Sequence, residues 1–386
     1  MKSLNRVLWI GLLNSLAALV LCAVAKAADD SRPLDAAAPY RAERLAPVTY
    51  DVDFSVIVTA PYHTKTLKVW LPLPPSDVGQ EVSGRELSTF PLQVEPQIAR
   101  EPQFGNEFAY FEFDHPEGAQ MIRHRFHAKV WELRWGVVPE RVQAVDRWPA
   151  DFQPYLRRNE KLAADAEFQA TLKKLVPQRG GAGADLYSVM AWVDENLKYD
   201  HVQASLRADA DFAFHQRRGH CSDYHGLCAA MGSSLGYPTR VTYGLNLFPK
   251  NSPSHCKLEA FLPPYGWVSF DVSESQRLVK AIGDDRQLAA AKKESLATAA
   301  RQRLRSGFRD NTWLLVTKGT NYNLAPPAVK PVAVVRTIYA EADGTPLPDP
   351  DPANAEKREF GWMTAHEYKP NRAVTYPFKD WKTLQP

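Results

Sequence analysis

Hydrophobic and polar residues alternate in the N-terminal third of the chain. From Thr49 the apolar residues fall at every second position, and the same period returns around residues 67–71, 107–113 and 121–135. A two-residue period is typical of half-buried β-strands, because successive side chains of a strand point to opposite faces. Clusters of Pro and Gly separate the runs. The pattern predicts an antiparallel β-sandwich domain over residues 45–138.

After Pro149 the apolar spacing changes to that of helices. Residues 158–176 and 185–198 carry apolar side chains at helical intervals. A third helix is expected to begin near Cys221 and to end before Gly236, because glycine readily adopts the left-handed conformation that closes helices.

Three strands are predicted after that third helix. The order of helix and then antiparallel sheet favours an α+β, papain-like fold in which the cysteine helix packs on the sheet. We expect this second domain to span residues 150–340. Its other predicted elements are strands at 239–247, 256–262, 266–271 and 313–317 and a helix at 285–306.

Both ends of the chain differ in composition from these domains. The first 27 residues combine two early cations, an apolar run and the sequence Ala-Lys-Ala, which predicts an export signal cleaved after Ala27. The alternative is an uncleaved anchor, since the run approaches the roughly 18 residues of a membrane span. Cleavage predicts a periplasmic or secreted protein with no integral span. Residues 28–44 are expected to be a linker, and residues 341–386 an irregular extension that wraps the body.

Charge narrows the range of partners. The chain has 47 Lys and Arg against 44 Asp and Glu, and removal of the signal takes away three cations and no anion, which leaves 44 − 44 = 0. Without a cationic excess, binding to a phosphate backbone lacks its electrostatic drive, so no nucleic-acid partner is expected. The sequence has no Gly-rich phosphate loop, dinucleotide fingerprint or EF-hand loop, so no cofactor is expected.

The cysteines left after signal cleavage are odd in number. They are Cys221, Cys228 and Cys256. An odd number in an oxidising compartment implies at least one free thiol. Cys228 and Cys256 could form a disulfide that leaves Cys221 free, or both could be buried reduced thiols.

Three residues in order along the chain indicate covalent acyl transfer. Cys221 is expected at a helix start, where the helix dipole stabilises a thiolate. His255 begins a strand and Asp271 ends the next one, so an imidazole base and an orienting carboxylate are available. His225, one turn after Cys221, is a rival base. A metal site is a further alternative, although the Cys and His spacing fits no standard zinc motif.

These stretches resemble the transglutaminase-like superfamily, specifically its secreted bacterial cysteine hydrolases. The matching motifs occur in the family's order: Gly219-x-Cys221-x-Asp223-Tyr224-His225, Leu235-Gly236-Tyr237-Pro238-Thr239-Arg240, His255-Cys256 and Gly266-Trp267-Val268-x-Phe270-Asp271-x-Ser273-Glu274.

The resemblance implies a role for each matched residue. Cys221 would be the nucleophile, His255 the base and Asp271 the orienting carboxylate, and Tyr199 resembles the family's upstream oxyanion donor by position. Lys257 departs from the pattern, since relatives often carry an aromatic residue there.

The expected activity is cleavage or exchange of peptide or protein amide bonds through an acyl-thioester. Hydrolysis is favoured over amine transfer, because water is present at about 55 M and an amine competes only when bound. A cation at Lys257 would also repel an incoming ammonium. The alternatives are a protein-glutamine amine transferase and a non-catalytic binding or scaffold protein that keeps the fold.

Overall fold

The structure is a computed structural model that describes residues 33–249, 253–350 and 361–384. The chain divides into two compact units, Met1–Asp35 and Ala36–Pro386. The helices and strands of the described residues lie in the second unit. The predicted export signal at residues 1–27 lies outside the described residues. Within the described ranges, no helix is long and apolar enough to cross a membrane.

Strands make up most of the N-terminal region and recur throughout the chain. In chain order they are β1 Glu43–Thr59, β2 Thr66–Leu73, β3 Gln80–Phe90, β4 Gln97–Arg100, β5 Glu107–Asp114, β6 Ala119–Arg134, β7 Lys198–Tyr199, β8 Arg218–Gly219, β9 Thr239–Asn246, β10 Ser254–Leu262, β11 Gly266–Phe270, β12 Phe308–Arg309, β13 Trp313–Lys318, β14 Tyr339–Ala342, β15 Thr345–Pro346 and β16 Gly361–Pro370. The α-helices are α1 Glu160–Ala164, α2 Ala166–Leu175, α3 Ala182–Asn196, α4 Ala210–Gln216, α5 Cys221–Ser234, α6 Val272–Asp284 and α7 Ala290–Arg305.

Two antiparallel sheets of the N-terminal region share one core with a third sheet. In the first, β6 pairs with β1, β3 and β12, and β1 also pairs with β16; the second has the order β15-β14-β2-β5-β4. Val56 on β1 and Phe111 on β5 are fully buried in their common core. Leu245 and Leu314 join this core from the third sheet, whose order is β11-β10-β9-β13. Apolar burial therefore ties the N-terminal sheets to the third sheet.

The third sheet supports the cysteine helix. Strands β9 and β10 are buried at every position, and α5 packs against both of them. Polar side chains on these strands must therefore find partners inside the protein. Arg240 on β9 does so through Glu259 on β10, with 2.7 Å between Nη2 and Oε2. The predicted α+β arrangement, a cysteine helix on an antiparallel sheet after a β-rich region, is confirmed.

The segment before β1 differs from the linker expected at residues 28–44. Tyr40 is 7% exposed, and its hydroxyl donates a hydrogen bond to Oε1 of Glu259 at 2.8 Å. The indole N–H of Trp267 donates to the carbonyl of Ala36 at 2.9 Å. Two anchoring contacts thus fix a segment whose polar, Ala-rich composition is typical of linkers.

The irregular extension expected over residues 341–386 is also corrected. Residues 361–370 form β16, which pairs antiparallel with β1 so that Val52 lies opposite Tyr368. This strand lies at the sheet edge and is mostly exposed, so it lacks the apolar alternation that identifies half-buried strands.

Three of the predicted helices have different bounds. The helix expected at 185–198 is α3, Ala182–Asn196. The helix expected at 158–176 is interrupted at Asp165, whose Oδ1 accepts the N–H of Phe168 at 2.7 Å and so begins α2. The helix expected at 285–306 begins at Ala290 as α7, and α6 before it was not predicted.

Candidate active site

Cys221 is the first residue of α5 and is 2% exposed. Asp223, two residues later, accepts the backbone N–H of His220 at 3.0 Å and so holds the helix start in place. Burial raises the pKa of the Cys221 thiol, but contact with the Cys256 thiol and the positive charges of His220 and His255 hold that pKa well below its usual value. The helix N-terminus acts in the same direction. The site therefore favours a thiolate at Cys221.

His255 and Asp271 come together through the pairing of β10 and β11. Leu258 lies opposite Phe270, so Asp271 emerges beside the first half of β10. Nε2 of His255 donates to Oδ2 of Asp271 at 2.7 Å, because a carboxylate only accepts. Burial lowers the pKa of His255, but the negative charges of Asp271 and Cys221 outweigh it and raise this pKa to about 10.

Asp271 has a second structural role. Its Oδ1 accepts the N–H of Glu274 at 3.1 Å, so the same carboxylate caps α6. Burial raises the pKa of Asp271, but the charges of Lys257 and His255 hold it well below its usual value. Capping and orientation of His255 are thus combined in one side chain, with one oxygen for each.

His225, the rival base, is engaged elsewhere. Its Nε2 accepts the backbone N–H of Val272 at 3.1 Å, and its Nδ1 lies 3.5 Å from the sulfur of Cys256. Burial lowers the pKa of His225 to about 4. The 3.6 Å between Nε2 and Oδ1 of Asp271 is therefore not an ion pair, because the ring is neutral. With Nε2 occupied, this imidazole is poorly placed to exchange a proton with Cys221.

Tyr199 lies beside the nucleophile through a short parallel pairing. It pairs with Gly219 across β7 and β8, two residues before Cys221. Its ring packs against the cluster of Cys221, Val241, Tyr243 and Cys256. Burial, and next the negative charge of Cys221, raise the pKa of Tyr199. The phenol therefore keeps its proton and can donate a hydrogen bond at the site.

Sequence analysis missed His220. Its Nδ1 lies 3.0 Å from the Cys221 sulfur, and its ring centroid lies 4.7 Å from that of His201. The available signal was its position directly before the nucleophile, at the helix cap. His220 therefore supplies a second imidazole close to the thiol.

The surroundings of Lys257 contradict the expectation that its charge would repel an incoming ammonium. The side chain is 1% exposed, and Nζ lies 2.7 Å from Oδ2 of Asp271 and 3.2 Å from Oδ2 of Asp310. Two carboxylates compensate its charge, so Lys257 does not present a free cation that would repel an incoming ammonium.

The cysteines are all reduced in the part of the chain that the structure describes. The possible disulfide between Cys228 and Cys256 is therefore not formed. Cys256 instead contacts the Cys221 thiolate, and burial followed by that contact raises the pKa of Cys256 well above its usual value. Burial likewise raises the pKa of Cys228. In the described ranges no group of three His, Cys, Asp or Glu residues is placed to hold a metal ion.

A cavity opens beside His255 and Asp271, next to the C-terminal segment that contains residues 376–379. Its lining combines the buried charged groups with aromatic residues of two segments, Phe248 after β9 and Tyr376 and Phe378 near the C-terminus. The rings of Phe248 and Tyr376 meet edge to face with centroids 4.8 Å apart. The C-terminal segment thus forms one wall of the space next to His255.

Comparison with known proteins agrees with this architecture. Residues 171–272, which include Tyr199, Cys221, His255 and Asp271, match the model of the transglutaminase-like superfamily. An uncharacterized protein of Haemophilus influenzae is 21% identical over 234 residues, or 53% of this chain. The aligned region spans 61% of that relative's length.

Solved structures also resemble this chain. A proposed cysteine protease from Cytophaga hutchinsonii is 15% identical with a TM-score of 0.56, and the match covers 89% of this chain and 98% of that one. The periplasmic domain of TgpA from Pseudomonas aeruginosa is 14% identical with a TM-score of 0.29, over 61% of this chain and 91% of that one. The first of these structures shares the fold. Residues 171–272 thus match the transglutaminase-like superfamily, and the chain shares the fold of the Cytophaga hutchinsonii structure.

Proposed function

We propose that this protein is a cysteine-dependent acyl-transfer enzyme that acts on peptide or protein amide bonds. The observation that carries the proposal is the buried contact of His255 with Asp271 at 2.7 Å, in a site where the pKa of the Cys221 thiol is lowered. A thiolate paired with an imidazolium is the reactive form of a nucleophilic cysteine. Nothing in this arrangement requires a cofactor.

Acylation begins with attack of the Cys221 thiolate on the amide carbonyl carbon. The backbone N–H at the helix start and the neutral phenol of Tyr199 are the donors proposed for the oxyanion. The C–N bond then breaks, and the His255 imidazolium gives its proton to the departing amine. Asp271 holds the ring by Nε2, which leaves Nδ1 for this transfer.

Deacylation completes the cycle with water as the acceptor. His255, now neutral, takes a proton from water as the oxygen attacks the thioester carbonyl. The C–S bond breaks, the acid leaves, and the thiolate and imidazolium are restored. Hydrolysis remains the favoured outcome because an amine must be bound at high effective concentration to compete with water. The compensated charge of Lys257 no longer contributes to this argument.

The place of action is proposed from residues 1–27 alone. Their apolar run and small-residue cleavage site support export to the periplasm or beyond. N-terminal sequencing of the protein from its native host should return Ala28. A start at Met1 would support an anchor instead.

The decisive experiment uses the purified protein with glutamine-containing donor peptides and an excess of labelled primary amine. Released acid, new amide and free ammonia are quantified for the wild type, Cys221→Ala and Cys228→Ala. We expect turnover to be abolished only in Cys221→Ala, with acid as the main product. Dominant amine incorporation would make the enzyme a transferase, and equal activity in all three proteins would refute the assignment of the nucleophile.

Thiol labelling gives a test that needs no substrate. Iodoacetamide should modify Cys221 faster than Cys228 or Cys256 at neutral pH, because only Cys221 has a lowered pKa. Mass spectrometry of labelled peptides measures the three rates. Equal rates would favour a non-catalytic protein that keeps the fold.

A further inference from the structure

One oxygen of the Asp271 carboxylate accepts hydrogen bonds from two side chains. Nε2 of His255 and Nζ of Lys257 both lie 2.7 Å from Oδ2. Residues 255 and 257 share a face of β10, because side chains alternate along a strand. The lysine is thus placed on the side of Asp271 that faces the proposed base.

Asp310 holds the other side of the lysine. Its Oδ2 accepts from Nζ of Lys257 at 3.2 Å, and its Oδ1 accepts the backbone N–H of Thr312 at 3.1 Å. The Thr312 hydroxyl also donates to Oδ1. Asp310 is 4% exposed, and its two contacts with Thr312 hold its carboxylate in place.

Aromatic faces complete the surroundings of the cation. Nζ of Lys257 lies 5.2 Å from the ring centroid of Trp313 and 4.9 Å from that of Phe378. An ammonium is attracted to such faces. Two carboxylates and two rings thus hold a lysine that is 1% exposed, at a cost in desolvation that surface lysines do not bear.

We propose that Lys257, held by Asp310, is a positioning residue that fixes the Asp271 carboxylate and sets the pH range in which the Cys221–His255 pair is active. The inference rests on the proposed function, in which that pair carries the chemistry. Its physical basis is charge compensation. With Lys257 present, Asp271 does not hold the imidazolium proton so firmly that His255 fails as an acid and base.

The charges around His255 determine whether a substitution moves the active pH range up or down. The titratable and charged groups that face this region are Tyr199 on β7, His220 before α5, Cys221 and His225 on α5, Cys256 and Lys257 on β10, Asp271, Glu274 and Arg277 at the start of α6, Asp310 before β13, and Tyr376 and Lys379 in the C-terminal segment. Loss of a cation among them makes every nearby acid hold its proton to higher pH, and loss of an anion does the reverse.

The test measures the pH profiles of turnover and of Cys221 alkylation in variants of the full-length protein. Lys257→Met should move the acid and the alkaline limb of each pH profile to higher pH by about one unit. Asp310→Asn should move them downward, and Lys257→Arg should leave them in place. Lys280→Met is the matched control, because Lys280 forms an exposed pair with Asp284.

If Lys257→Met or Asp310→Asn fails to fold, a double variant still tests the proposal. Lys257→Met/Asp310→Asn removes both charges, which proteins often tolerate better than loss of one partner. This double variant should shift the limbs upward, though less, since the lysine is the group that touches Asp271. Limbs that stay at wild-type values while amplitudes fall would overturn the proposal and leave Lys257 a packing role. Failure of the proposed function looks different: wild-type Cys221 would then show no preferential labelling and no turnover.

Discussion

The backbone N–H of Val272 donates a hydrogen bond to Nε2 of His225 at 3.1 Å. This contact joins α5 to the start of α6, directly after Asp271. A buried imidazole that accepts a backbone hydrogen bond acts as a structural link, and its replacement leaves a buried donor without a partner. Two of the buried histidines near Cys221 therefore differ in their surroundings: His225 links two helices, and His255 is the one proposed for proton transfer.

Substitution should separate these roles. We expect His255→Ala to lower kcat by about 100- to 10,000-fold, as for loss of a general acid and base, with little change in melting temperature. His225→Ala should cost about 1–3 kcal/mol of unfolding free energy and retain measurable turnover. His220→Ala belongs in the same series, because Nδ1 of His220 lies 3.0 Å from the sulfur. Loss of turnover in His225→Ala with an active His255→Ala would reverse the assignment.

Asp271→Asn should be milder than loss of Cys221 or His255. Asparagine keeps an oxygen that can cap α6, but it removes the charge that Nε2 of His255 contacts. We expect kcat to fall by about 100-fold with α6 still capped. Asp271→Ala adds loss of the cap, which costs about 1 kcal/mol more in stability. Steady-state kinetics and denaturant unfolding of the two variants measure the two effects separately.

The three site residues could be predicted because each carries a local signal. Cys221 follows a polar run at a helix start, and His255 and Asp271 mark the ends of two neighbouring strands. The sheet pairing then brings His255 and Asp271 together, although 16 positions separate them along the chain. Local pattern placed these residues on their elements, and the resemblance to the transglutaminase-like superfamily supplied the roles proposed for them.

The Lys257 network could not be predicted in the same way. Asp310 lies 53 residues after Lys257, on a connection whose path depends on β12 and β13. Its side chain reaches the site only through tertiary packing. The β1–β16 pairing was missed for a related reason, since an exposed edge strand needs backbone partners more than an apolar face.

Stability should depend on pH through the Cys221–His255 pair. The folded pKa of His255 is about 10 against 6.5 for an ordinary histidine, so its contribution is complete below pH 6.5 and is lost as pH rises through 10. The folded pKa of Cys221 lies below its ordinary 9.0, so its contribution is complete above pH 9.0 and is lost as pH falls through the folded value. Between pH 6.5 and 9.0 the two trends oppose each other.

The stability that the pair provides should therefore reach a plateau between those values. We expect the difference in unfolding free energy between the wild type and Cys221→Ala/His255→Gln to be constant there and to fall on both sides. Urea unfolding at half-unit steps from pH 5 to 10 measures it. A difference that declines steadily from pH 6.5 upward would show that the thiol is not ionised in the folded protein.

The C-terminal wall of the cavity depends on Arg303 of α7. Its guanidinium donates to the carbonyl of Pro377 at 2.8 Å and to that of Thr383 at 2.6 Å. Arg303→Met should lower the free energy of unfolding by about 1–3 kcal/mol, because these hydrogen bonds are lost while the carbonyls stay partly buried.

In this variant the amide hydrogens of residues 376–384 should exchange faster. The variant should also raise KM more than it lowers kcat, since Tyr376 and Phe378 line the cavity but do not touch Cys221 in the proposed mechanism. Arg301→Met, on the exposed face of the same helix, is the control. Unchanged exchange at residues 376–384 in Arg303→Met would show that the aromatic contacts alone hold this wall.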